Sequence, residues 1–241
     1  MSPQQAAHAG PAPRMKNATK HATALKALVT KLTKTDKVDR PSLDPLAAMV
    51  LGTLREGANE KSATNAMAML EDEFVDLNEL RVGTTLELED MLEPLYDDAG
   101  ERAAALSHAL AAVFDHEGRL SLDRIANLSK REQRPALRTV AEAAGGAISP
   151  YVEAHVALVS FGIGVVPLDT PTLDYLKEAK ALDADADLAE SQKFVEQNVK
   201  LDDAYAFLLA LRDAAGGESG KKPKAAKKAP AKKAKKPAKS K

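Results

Sequence analysis

The sequence predicts an all-α protein. Apolar residues recur at intervals of three and four through nearly all of residues 44–215, no run alternates apolar and polar residues over the length of a strand, and capping residues precede several of the periodic segments. The 241 residues are 44% apolar but only 4% aromatic. We therefore expect a sizeable core built from Ala, Leu, Val and Met.

The first helices are indicated by their capping residues. Residues 17–34 place leucines near helical spacing among lysines, which predicts a basic amphipathic helix that either packs on the body or contacts DNA. Asp44, followed by proline, predicts the N-cap of a helix that ends at Gly57. Asn59 predicts the cap of the next helix.

The rest of the body continues the helical pattern. Further helices are predicted from Thr85, from Glu101 to Glu117, over 131–144, for about ten residues after Pro150, after Asp169, and near 188–197 and 202–214.

The charges are sorted along the chain, although the net charge is only -1. Residues 1–40 carry +6, residues 221–241 carry +11 with eleven Lys and no acid, and residues 41–220 carry -18. We predict a basic arm over 1–40, a helical body over 41–217 and a basic tail over 218–241. Such sorting indicates a polyanionic partner for the arm and the tail.

The tail contains almost only Lys, Ala and Pro, which cannot bury enough apolar surface to fold, so the sequence predicts disorder. It is similar to the tails of linker histones and bacterial histone-like proteins. Such a segment binds DNA or RNA without sequence preference; the alternative is a tail that only improves solubility. The candidate DNA-binding lysines are Lys221, Lys222, Lys224, Lys227, Lys228, Lys232, Lys233, Lys235 and Lys236.

Several classes of function are excluded or disfavoured by composition. The absence of cysteine excludes disulfides, thiol catalysis and iron–sulfur clusters. No segment has the length and apolarity of a membrane span or a signal peptide, so we expect a cytoplasmic, nucleoid-associated protein without a membrane partner; protein partners stay open. The alternating acids Asp183, Asp185 and Asp187 lack the rest of a calcium loop. We predict no metal and no cofactor.

The segment from 148 to 170 carries the most specific pattern. A turn is followed by a helix that ends at Phe161-Gly162, and Leu168-Asp169-Thr170 then precedes the next helix. This arrangement resembles the helix-hairpin-helix DNA glycosylases of the endonuclease III type, and the resemblance extends over about 44–215. It places Asp169 on the family's catalytic aspartate and Tyr151 on the position that holds lysine in members that also have lyase activity.

The resemblance implies a monofunctional DNA glycosylase. A carboxylate at Asp169 would stabilise the positive charge that develops on the sugar as the glycosidic bond breaks, and would orient or deprotonate a water molecule. Tyr151 offers no amine for Schiff-base chemistry and would line the base pocket. The alternative for Asp169 is a simple helix cap, and one side chain can serve both roles.

The sequence also departs from the family pattern. The glycines of the DNA-binding hairpin fall on Ala147 and Ser149, so this hairpin is degenerate, and the family's intercalating glutamine falls on Glu56. The cysteine cluster that follows the last helix in endonuclease III is absent. The candidate hairpin contacts to DNA are Ala147, Ile148, Ser149 and Pro150.

One helix of the body carries a basic strip that could meet DNA, or could simply form a solvated face. The strip consists of Lys130, Arg131 and Arg134, with Arg138 further along the same helix.

Two main hypotheses follow from the sequence. The first is a base-excision DNA glycosylase with Asp169 as its catalytic carboxylate. The second is a non-catalytic, histone-like DNA-binding protein that keeps the glycosylase fold as a scaffold, which the acidic body and Glu56 favour. A third alternative is an unrelated helical interaction protein. The first two are distinguished by whether Asp169 faces a pocket.

Overall fold

The computed structural model of the chain describes residues 15–34 and 38–216. In these ranges the backbone forms twelve α-helices and no β-strand, which confirms the all-α prediction. The helices are α1 (Ala18–Leu32), α2 (Pro45–Arg55), α3 (Glu60–Glu73), α4 (Leu77–Val82), α5 (Thr85–Leu92), α6 (Ala99–Glu117), α7 (Asp123–Ala126), α8 (Lys130–Ala143), α9 (Pro150–Val159), α10 (Thr170–Glu178), α11 (Leu188–Asn198) and α12 (Leu201–Ala215). No helix in this part of the chain is both long and apolar enough to cross a membrane.

Helix α9 forms the centre of the molecule. Every residue from Tyr151 to Val159 is buried, because α2, α8 and α12 pack around it. Helix α2 approaches it closely at Gly52, where a Cβ atom would lie 3.1 Å from Nδ1 of His155. The close packing of α2 on α9 therefore favours glycine at position 52, because a Cβ atom there would force the buried ring of His155 to shift.

The remaining helices pack in two groups on this centre. Helices α4, α5 and α8 contact α6, while α1 and α10 contact α11 and α12. Leu25 and Val29 of α1 are buried against the body, whereas its lysines are exposed. Of the two alternatives for this helix, packing on the body is therefore observed, and contact of its lysines with DNA stays a prediction.

The differences from the sequence-based expectation include one helix and one helix start. Helix α4 was not predicted, because its six residues are too few to display a helical period. It is held by its cap, since Asp76 accepts hydrogen bonds from the backbone N–H groups of Asn78 and Glu79. Helix α6 begins at Ala99, two residues before the predicted start.

The predicted caps that orient the site are confirmed. The carboxylate of Asp44 accepts from the N–H groups of Leu46 and Ala47 at 2.9 and 3.2 Å, which fixes the start of α2. Asn59 accepts from the N–H of Ser62 at 2.8 Å and begins α3. Each such cap stabilises its helix by about 1 kcal/mol.

Candidate functional site

The C-terminal end of α2 is held by two buried arginines from other helices. Arg102 of α6 donates to the carbonyls of Thr53 and, at 3.0 Å, Glu56. Arg212 of α12 donates to the carbonyls of Arg55 and Ala58, both at 2.8 Å. The last carbonyls of a helix lack partners within the helix and carry its negative dipole end, so guanidinium groups stabilise them. The turn after α2 is thereby fixed between α6 and α12.

Asp169 is the N-cap of α10. Its Oδ1 accepts from the backbone N–H and the hydroxyl of Thr172, at 3.1 and 2.5 Å, and its Oδ2 accepts from the N–H of Gly57 at 3.0 Å. Nη1 of Arg212 lies 3.8 Å from the same Oδ2. Only 6% of the residue is exposed. Both oxygens of the carboxylate are therefore engaged within the protein.

Tyr151 lies in the first turn of α9, on the other side of the same arginine. Its hydroxyl oxygen accepts a hydrogen bond from Nη1 of Arg212 at 2.8 Å, and its ring stacks on His155 with 6.3 Å between centroids. Burial raises the pKa of the Tyr151 hydroxyl. The structure thus brings the two predicted catalytic residues, Asp169 and Tyr151, together around a guanidinium group that contacts both.

His155 and Arg55 extend this arrangement into the core. Nδ1 of His155 lies 2.9 Å from the carbonyl of Ala48, and its Nε2 lies 2.9 Å from Nη1 of Arg55. A carbonyl can only accept and a guanidinium can only donate, so the proton is assigned to Nδ1. Burial and the neighbouring Arg55 lower the pKa of His155 to about 3, which keeps the imidazole neutral. Arg55 is in turn paired with Glu60.

These five residues, Tyr151, Asp169, Arg212, Arg55 and His155, form what we call the central polar network. A cavity lined by Asp169, Gly57 and Arg212 has a volume of about 10 Å³. That is room for about one water molecule. A flipped nucleobase does not fit beside the carboxylate in this arrangement, because the Arg212 side chain occupies the space between Asp169 and Tyr151.

The hairpin between α8 and α9 spans residues 144–149. Gly145 and Gly146 have positive φ values of 60° and 101°, so the tight turn falls before Ala147 and Ser149, the positions predicted from the family pattern. Ile148 is buried, Ala147 is half-buried and Pro150 is exposed. The side chains of Ile148 and Ala147 pack on the core.

Ser149 caps α9 and also binds Glu56. Its hydroxyl accepts from the N–H of Val152 at 3.1 Å and donates to Oε2 of Glu56 at 2.6 Å. Burial raises the pKa of Glu56 despite that hydrogen bond. A helix N-terminus is a favourable place for a phosphate, but here the Glu56 carboxylate lies beside it. The hairpin therefore presents an acid beside the N-terminus of α9, which disfavours a phosphate there.

Most of the basic strip on α8 is already paired within the protein. Lys130 donates to the carbonyl of Phe161, and Arg134 forms a bidentate ion pair with Glu196, with N···O distances of 2.8 and 2.9 Å. Arg134 also contacts Glu153 at 3.1 Å, and so does Arg138 at 3.4 Å.

Arg131 is exposed, and its side chain has no partner within the described residues. Of the strip, it is the cation that the fold leaves available. Contact of the strip and the hairpin with DNA stays a prediction, and the tail lysines lie outside the described residues.

The acidic loop has a local structural role. Asp183 accepts from the N–H of Asp185 at 3.0 Å, and Asp187 caps α11 by accepting from the N–H of Glu190 at 2.7 Å. The described residues contain no group of three acidic or histidine side chains arranged to hold a metal ion.

The sequence analysis missed the arginines that organise the site. Arg212 lies four residues after Leu208 and seven after Tyr205, on the buried stripe of α12, and Arg102 precedes Leu106 on the buried stripe of α6 in the same way. A charged residue on an otherwise apolar stripe is the signal that could have found them, because burial of an unpaired charge is too costly to be tolerated.

Comparison with known proteins gives the same fold. No family model matches the sequence, and no curated protein matches it. The chain is similar in structure to a trapped endonuclease III–DNA covalent intermediate, with a TM-score of 0.60, 12% identity, and coverage of 80% of this chain and 84% of that one. It is also similar to an H. pylori 3-methyladenine DNA glycosylase (MagIII) bound to 1,N6-ethenoadenine, with a TM-score of 0.56, 14% identity, and coverage of 81% and 97%.

A third similar structure is a Clostridium acetobutylicum 8-oxoguanine glycosylase/lyase in complex with double-stranded DNA. Its TM-score is 0.60, its identity 15%, and the match covers 83% of this chain and 70% of that one. At such identities the likeness establishes the fold alone. The described body has the fold of the helix-hairpin-helix DNA glycosylases.

Proposed function

We propose that this protein binds DNA without excising bases, using a glycosylase fold as its scaffold. The observation that carries the proposal is the position of Arg212, which bonds to Tyr151 and lies against Asp169 in the place where a base would have to enter. Enzymes that act on a base flip it into a fitted pocket. A water-sized cavity beside the carboxylate does not provide that pocket.

DNA binding is assigned to the basic ends of the chain and not to the acidic body. Residues 221–241 of the tail carry eleven Lys and no acid, whereas residues 41–220 carry -18. Two of the similar structures hold DNA, which supports DNA as the polyanion. Lysine tails bind phosphates with little sequence preference and with a steep dependence on salt. Arg131, exposed and without a partner in the described residues, is a further candidate contact. A nucleoid-associated location follows from this role.

The test compares the full chain with a variant of equal length in which the tail lysines are replaced by glutamine. Binding of a fluorescent duplex is measured by anisotropy at several salt concentrations. We expect the variant to bind far more weakly and to lose most of the slope of log K against log salt, which falls by about 0.9 for each phosphate contact removed. Unchanged affinity and slope would refute the assignment of binding to the tail.

A monofunctional glycosylase is the second candidate, and the place of Asp169 favours it. The carboxylate lies at the N-terminus of α10 beside the Gly57 turn, with Tyr151 nearby and no amine at that position. Hydrolysis would require Arg212 to withdraw from the carboxylate when DNA binds, so that a base and a water molecule can enter. Base release by the wild-type protein that disappears in Asp169→Asn would establish this function.

A further inference from the structure

An apolar groove with an acidic rim lies on the body, away from the central polar network. Helices α2, α3 and α4 enclose a depression of about 230 Å³ lined by apolar side chains that include Met67, Phe74 and Leu77. Val75 lines it as well and is 93% exposed. This surface has the form of a docking site, since apolar residues surround it and little in the described chain covers it.

The rim of the groove carries acids where the fold disfavours them. Glu71 lines the groove, and Asp72 and Glu73 follow it in the last turn of α3, which has no basic residue. The C-terminal end of a helix is the negative end of its dipole, so three carboxylates at that end repel it and one another. In the described residues none of the three has an ion pair. The arrangement favours a cationic ligand.

The stretch from the last turn of α3 to the start of α6, of which residues 71–80 contribute to the groove, is opposite in charge to one segment of the same chain. Residues 71–101 contain twelve acids and one base, Arg81, which gives a net charge of -11. Residues 221–241 carry +11 and consist of Lys, Ala, Pro and a single Ser. Small Ala and Pro side chains fit a shallow groove, and lysine heads reach its acids while their stems cover apolar atoms such as those of Phe74.

The geometry allows this segment to reach the groove. Gly216 lines the same small cavity as Asn59, the cap of α3, so the chain leaves the body beside the first turn of that helix. The groove lies at the other end of α3, which has 14 residues and is about 21 Å long. The 25 residues that follow Gly216 span at most about 80 Å when extended.

We propose that the Lys/Ala/Pro segment 221–241 docks in the acidic-rimmed groove between α2, α3 and α4, and that DNA competes with this groove for the same lysines. The competition rests on the proposed binding of DNA by the tail, whereas the docking itself does not. The body then sets the affinity of the tail for DNA.

The docking is tested on the full chain without DNA by zero-length carbodiimide cross-linking and mass spectrometry. We expect amide links from lysines of 221–241 to Glu71, Asp72 and Glu73, which high salt abolishes. Val75→Lys places a cation in the groove at an exposed position and should suppress the links. Links between isotopically labelled and unlabelled chains, or no links to this rim, would overturn docking of the segment on its own body.

The competition is tested by neutralising the rim. Glu71→Gln, Asp72→Asn and Glu73→Gln together should tighten binding of a duplex by about fivefold at low salt and by little at high salt. A matched variant with the same net charge, Asp115→Asn with Glu142→Gln and Glu178→Gln, changes exposed acids elsewhere. Equal effects of the two variants would overturn the competition. Cross-links to the rim in a protein that does not bind DNA would instead refute the proposed function and leave the docking intact.

Discussion

The buried histidine of the central polar network makes stability depend on pH in a defined direction. The pKa of His155 is lowered from 6.5 to about 3 in the folded protein, because the ring is buried and faces Arg55. In the unfolded chain the same ring takes up a proton near pH 6.5. Between these two pKa values the unfolded state binds more protons, so stability falls as the pH falls.

The size of the effect follows from the two pKa values. Each pH unit well inside the window changes the free energy of unfolding by about 1.4 kcal/mol. Between pH 7 and pH 5, which includes the rounded start of the window, His155 removes about 2 kcal/mol. With a dependence of about 2–3 kcal/mol per molar urea for a chain of this size, the unfolding midpoint moves by about 0.7–1 M.

The assay is urea unfolding followed by far-ultraviolet circular dichroism at pH 7, 6 and 5. His155→Gln cannot be protonated in this range and should lose most of the dependence, whereas His108→Gln, which changes an exposed histidine of α6, should keep it. Glu56 acts in the opposite direction, since its pKa is raised, but it is common to all three proteins. Equal pH dependence in wild type and His155→Gln would refute the buried neutral imidazole.

Three further changes test the geometry around Asp169 by urea unfolding. Arg212→Met should lower the free energy of unfolding by about 3–5 kcal/mol, because it leaves the Tyr151 hydroxyl and two carbonyls without their donor. A decrease below about 1 kcal/mol would contradict the central polar network. Asp44→Ala removes a helix cap and should lower the free energy of unfolding by about 1 kcal/mol. Asp169→Ala should lower it by more, because Asp169 also accepts a hydrogen bond from Gly57. Gly57→Ala should cost about 1–2 kcal/mol through its φ of +66° and not through a clash, since no atom lies within 4 Å of the new Cβ; Gly57→Asn should cost less.

Local signals in the sequence were enough to predict most helices. Asp44 and Asn59 act as caps as predicted, and Pro150 begins a ten-residue helix as predicted, because capping and periodicity depend on neighbouring residues only. Helix α4 was missed because its six residues are too few to show a helical periodicity of apolar residues. The family resemblance predicted the fold that the structural comparison then confirmed.

The interior of the site could not be predicted in the same way. Tyr151 and Asp169 are 18 positions apart, and Arg212 is 43 positions further along the chain. Only tertiary packing brings that arginine between them. Helical periodicity predicts that Arg212 lies on the buried face of its helix, but it does not predict which residues it contacts. The same holds for Lys130 and Arg134, which look like a basic surface in sequence, but Lys130 binds a carbonyl of the turn after α9 and Arg134 binds a carboxylate of α11. Pairing across helices converts charges that appear available into structural contacts.

The most direct test of the account is single-turnover release of bases from duplexes that contain a panel of lesions and mismatches. The protein is used at concentrations that occupy all the DNA, and Asp169→Asn is measured at equal occupancy. We expect salt-sensitive binding by both proteins and no release by either, because Arg212 closes the space beside the carboxylate. Release by the wild-type protein that is lost in Asp169→Asn would contradict a non-catalytic role and identify Asp169 as the catalytic carboxylate of a monofunctional glycosylase.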